Sequence, residues 1–122
     1  MQVRYMSTGG LMMSTNTVER SVEVCALDAA TLCEAFQISA AAHPQRVALR
    51  TPGDSVVLTW EQYAERVRRT AAGLAALGVR RGDTVALMLS NRPEFFWVDV
   101  AAMHLGATTF GIYNTFAQEQ LE

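Results

Sequence analysis

Residues 84–113 constrain this chain more than any other stretch. Thr84 to Leu89 is an almost continuous apolar run. Phe95 to Leu105 follows as a segment apolar nearly all round, with Asp99 its only charge. Ala107 to Tyr113 is a second strand-like apolar run, and Gly106 before it reads as a helix cap. A strand that does not alternate is buried on both faces, which is the pattern of a parallel sheet covered by helices. Two such strands joined by a buried helix make a βαβ unit, expected to be right-handed. Asn91 and Glu94 read as the helix N-cap and its N3 partner, with Pro93 tolerated in the first turn. Ser90 ends the first strand where α/β proteins bind ligands, but its place before Asn91 is better explained by helix capping. His104 reads as a satisfied core histidine. Val100 to Gln118 carries no formal charge and approaches a bilayer span. His104, two glycines, three threonines and Asn114 interrupt it, so it is read as helix end, turn and buried strand, with no transmembrane segment.

Upstream, local signals are strong. Thr31 and Glu34 make an S/T-x-x-E capping box, and Leu32, Ala35, Phe36, Ser39 and Ala40 follow at helical spacing. His43-Pro44 stops that helix, because the residue before proline is driven out of the α region. His43 there is a favourable partner for the helix dipole. Val47–Arg50 and Val56–Trp60 read as two strands about the turn Thr51-Pro52-Gly53-Asp54, a β-hairpin. Thr59 with Gln62 is a second capping box. Tyr63, Val67, Ala71, Leu74 and Leu77 form one apolar stripe, ended by Gly78 as a left-handed cap. Glu61, Glu65, Arg66, Arg68 and Arg69 lie mainly off it as a solvated face, with Glu65 and Arg69 paired at i,i+4. Arg80-Arg81-Gly82-Asp83 is a polar turn.

Composition narrows the chemistry. The chain of 122 residues is long enough for one domain. It is 50% hydrophobic and 18% charged, as a folded globular chain is. Residues 1–27 show no sustained period and read as a flexible leader ahead of an incomplete domain over 28–122. All ten basic residues are arginine, so Schiff-base, phosphate-loop and catalytic lysines are excluded. The formal net charge of -2 gives no basic excess for a phosphate backbone, which excludes nucleic acid as a partner. Cys25, Cys33, His43 and His104 lack metal-ligand spacing, and two thiols make no disulfide framework. Cys33 reads as a small packed apolar group.

No catalytic set assembles in the sequence. A glycine dinucleotide fingerprint, a Walker-type phosphate loop and a G-x-S-x-G elbow are all missing. Asp83 and Asp99 have no carboxylate or histidine nearby in sequence. Arg66, Arg68 and Arg69 read as a solvated face rather than an anion site. Trp60 and Tyr113, at strand ends, read as core or rim packing rather than a nucleotide platform.

The order of the signals resembles a known family. Leu58-Thr59-Trp60-Glu61, then Ala72-Gly73-Leu74, Leu77-Gly78-Val79, Gly82-Asp83 and Val85-Ala86, then Asn91-Arg92-Pro93-Glu94 and Gly106-Ala107, resemble the N-terminal region of AMP-forming acyl-CoA synthetases. Gly111-Ile112-Tyr113-Asn114-Thr115 is more similar to the long-chain fatty acid–CoA ligase branch. The likeness runs from Thr31 to Glu122. It implies a partial N-terminal subdomain of an adenylate-forming enzyme: an α/β hairpin-plus-βαβ unit. It also implies a two-step ligase reaction in lipid metabolism, with ATP, Mg, CoA and a fatty acid serving the full-length enzymes and none bound by this fragment. The family's phosphate loop and catalytic lysine fall outside the matched residues, so no catalytic, cofactor-binding or metal-binding residue is carried over. The matched positions Thr59, Gly78, Gly82, Asp83, Asn91, Glu94 and Gly106 are scaffold. The chain is then expected to be inactive alone, or to act as an interaction module or the partner of a separately encoded C-terminal polypeptide. The location expected is cytoplasmic, with membrane contact only peripheral and through the family's lipid substrate.

Overall fold

The computed structural model describes residues 25–112. The leader up to residue 24, Tyr113, and the helix start expected at Phe116–Glu122 lie outside the described residues. A short 3-10 turn, Ala26–Asp28, comes before the expected onset of order at Thr31.

Helix α1 spans Leu32–Ala42. Thr31 Oγ1 accepts from the Glu34 N–H at 3.1 Å, as the capping box requires. The Glu34 carboxylate reaches back one residue further than expected and accepts from the Ala30 N–H at 2.9 Å. The helix ends at His43, before Pro44. Leu32 is exposed; Phe36 instead packs against the core.

Strands β1 (Val47–Arg50) and β2 (Val57–Thr59) pair antiparallel, with Arg50 opposite Val57 and Leu49 opposite Leu58. The connecting turn is a 3-10 segment at Pro52–Asp54, closed by a 3.0 Å bond from Thr51 N–H to the Val56 carbonyl. Helix α2 (Trp60–Ala76) starts directly from β2. Its capping box is complete: Thr59 Oγ1 accepts from Gln62 N–H at 3.3 Å, and Gln62 Oε1 accepts from Thr59 N–H at 3.0 Å. At its other end Val79 N–H reaches the Leu74 carbonyl and Gly78 N–H the Ala75 carbonyl, both at 3.0 Å. That pair of bonds is the Schellman arrangement. It also overturns the end of the expected stripe. Leu77 occupies the cap position and is 84% exposed, because the chain reverses at Gly78 before Leu77 can turn inward.

Strands β3 (Thr84–Leu87) and β4 (Thr108–Gly111) are parallel, in register Thr84–Thr108 to Leu87–Gly111. Helix α3 (Glu94–His104) connects them. The βαβ unit is therefore present, but burial on both strand faces is not. Val85 and Thr109 are half-buried and Leu87 is buried, while Thr84, Ala86, Thr108 and Phe110 are exposed. Each sheet has two strands only, and among the described residues no second layer lies over the opposite face. For the same reason α3 is not enclosed all round: Trp97, Ala101 and Ala102 are buried, whereas Phe96 is 51% exposed.

The core lies where α2 crosses α3. Leu58, Tyr63, Val67, Trp97 and Ala101 form it, with Phe36, Leu49, Trp60 and Leu74 packed against it. Phe36 is the aromatic hub. It meets Tyr63 edge-on at 5.1 Å, Trp60 at 5.8 Å and the His104 ring at 5.6 Å. Edge-on pairs use the ring quadrupole as well as area. Among the described residues, no helix is long and apolar enough to cross a membrane.

Candidate functional site

The hairpin leans against the carboxyl ends of the parallel strands, and between them opens a cleft of about 1030 Å³. Ala48, Leu49 and Val56 form one wall, Leu87, Leu89 and Ile112 the other, and Phe95 and Phe96 the floor. This is the end of a parallel sheet where α/β folds take their ligands. Polar groups enter from two connections: Arg50 and Thr51 from the hairpin turn, and Ser90, Asn91 and Arg92 from the link between β3 and α3.

That link differs from its sequence reading. Helix α3 is capped at Pro93 and receives no side-chain cap bond. Proline disfavours the α region for the residue before it, which makes Arg92 a poor helix start and leaves Asn91 and Ser90 too early to cap a helix that begins at Glu94. Both residues stand instead at the rim of the cleft. Glu94 is the first helical residue rather than the third; its carboxylate lies 3.5 Å from Arg92 Nε.

Both arginines at the cleft stand in long, solvent-exposed ion pairs. Arg50 Nε is 3.4 Å from Asp54 Oδ1, and Arg92 faces Glu94. Thr51 Oγ1 accepts from Val56 N–H at 2.9 Å and shares a 2.8 Å bond with Ser55 Oγ, so it serves the turn. Among the described residues no Asp, Glu, His, Cys or Tyr side chain lines the cleft. Among those residues its hydroxyls have no adjacent base, and the apolar walls can hold an apolar group.

The remaining candidates are structural. His104 Nδ1 lies 2.7 Å from the Val100 carbonyl, which only accepts, so Nδ1 carries the proton. Nε2 then accepts from the Gln37 amide at 2.9 Å, tying α3 to α1. Asp99 accepts from the Thr109 hydroxyl, fixing α3 over β4. Asp83 accepts from the Arg80 N–H at 2.7 Å and closes its turn. Glu65 pairs with Arg68, not with Arg69 as expected: in this turn the i+3 neighbour reaches it first. Arg66 lies over the Trp97 ring at 4.8 Å. Two of the three guanidiniums are thus engaged within the chain. Trp60 packs on Phe36, as core packing requires. Cys33 is half-buried and His43 exposed at the α1 end.

Sequence reasoning missed Tyr63 as a titrating group. Its hydroxyl donates to the Phe96 carbonyl at 3.2 Å. Burial, and then the negative charge of Asp99, push its pKa up to about 12. Tyr63 and Asp99 lie far apart in sequence, so no local signal reveals the pair.

A model of the family described as AMP-binding enzyme matches residues 36–122. Among curated proteins the chain is 62% identical over 91 residues to an uncharacterized Mycobacterium tuberculosis protein, covering 75% of this chain and 52% of that one. It is 38% identical over 64 residues to the long-chain-fatty-acid–CoA ligase FadD15 of Mycobacterium bovis, covering 52% of this chain and 11% of the ligase. Among solved structures it resembles the N-terminal domain of FACL13 from Mycobacterium tuberculosis, with a TM-score of 0.66 and 31% identity over 70% of this chain and 22% of that one. The chain thus spans about half of one such relative and far less of the ligase.

Proposed function

Since the chain belongs to the AMP-binding enzyme family, we propose that it supplies the N-terminal framework of a fatty acid–CoA ligase and does not turn over substrate by itself. In the reaction this reading assigns to the whole enzyme, a fatty carboxylate attacks the α-phosphorus of ATP. Pyrophosphate leaves and an acyl-adenylate forms; the CoA thiol then displaces AMP. Similarity to a long-chain-fatty-acid–CoA ligase supports the fatty acid as substrate. A cytoplasmic location goes with that reading.

The observation that carries the proposal is the chemistry of the cleft. A triphosphate needs free cations, and carboxylate activation needs its new charge stabilised in place. The chain has no lysine. The two cleft arginines, Arg50 and Arg92, each lie beside a carboxylate of the same chain in an exposed pair. What the described residues do is hold the hairpin, α2, α3 and the parallel strands in a fixed relation around an apolar cleft.

ATP–pyrophosphate exchange tests the reading, with the purified 122-residue chain, a long-chain fatty acid and Mg. The expected outcome is no exchange above a protein-free blank. Exchange that depends on both the chain and the fatty acid overturns it.

A further inference from the structure

We draw no further inference here: the strongest candidate, the apolar cleft between the β1–β2 hairpin and the carboxyl ends of β3 and β4, belongs to the site already described, and nothing in the structure shows what fills it.

Discussion

Gly106→Ala provides a quantitative test of how the turn after α3 is built. Gly106 has φ +74° and ends the helix, and its carbonyl accepts from Gly82 N–H at 2.9 Å. An L-residue in the left-handed region costs about 1–2 kcal/mol. Loss of unfolded-state freedom returns about 0.4–1 kcal/mol. At Gly78, φ +100°, a new Cβ meets nothing within 4 Å, so Gly78→Ala pays the backbone cost alone, about 1 kcal/mol net. At Gly106 the new Cβ also comes within 2.9 Å of Arg81 Cγ and 3.3 Å of Arg81 Cβ. Those atoms sit at the root of the side chain, so Arg81 must leave its rotamer, adding about 0.5–1.5 kcal/mol. Gly106→Ala is therefore expected to destabilise by about 2 kcal/mol, twice the loss at Gly78. For a domain of this size that is a drop in Tm of about 8–16 °C, against about 4–8 °C at Gly78. Urea titration followed by tryptophan fluorescence measures both. In an Arg81→Ala background the extra penalty should fall by about half, since Cγ is gone and Cβ stays. Equal losses at the two glycines, or an Arg81→Ala background that changes nothing, would refute the argument.

Three further outcomes follow from the core and the α2 cap. The folded-state pKa of Tyr63 is raised, so its contribution to stability is whole below pH about 10 and is lost as pH climbs through about 12. Alkaline denaturation should thus weaken the wild type across that window, and Tyr63→Phe should remove this part of the pH dependence. Asp99→Asn should move the Tyr63 transition in ultraviolet titration downward by only part of the shift, since burial is the larger cause. Thr59→Ala deletes the hydroxyl half of the α2 capping box and should cost about 1 kcal/mol in urea titration, with Thr59→Ser close to wild type.

What was legible in the sequence was local. Thr59 and Gln62 lie three residues apart and cap as read; the bonds around Gly78 close within one turn; Pro52-Gly53-Asp54 reverses the hairpin where turn chemistry places it. The helix between β3 and β4 was also legible, because apolar runs of that length have few other uses. Failures came where two signals competed or where the partner was distant. Asn91 has the chemistry of a cap, but Pro93 delays the helix beyond its reach. Leu77 keeps the stripe's spacing, yet the turn at Gly78 intervenes. Apolarity of β3 and β4 was read as burial on both faces, whereas apolar strands record what a face can pack against, not that something lies there. The cleft itself was invisible, because its walls, Leu49 and Val56 against Leu87 and Ile112, come from separate parts of the chain. Arg66 over Trp97 was missed for the same reason.

The hairpin runs straight into α2 with Thr59 as the joint, so residues 47–76 complete most of their mutual contacts without waiting for anything downstream. β3 has no such independence, since its ladder partner is β4 and the whole of α3 must be made in between. Contacts close in sequence form fastest, and a chain leaving the ribosome offers its earlier half first. During synthesis the hairpin with α2 is thus the natural nucleus, and β3 emerges as an unpaired apolar strand that has to be sheltered until β4 follows.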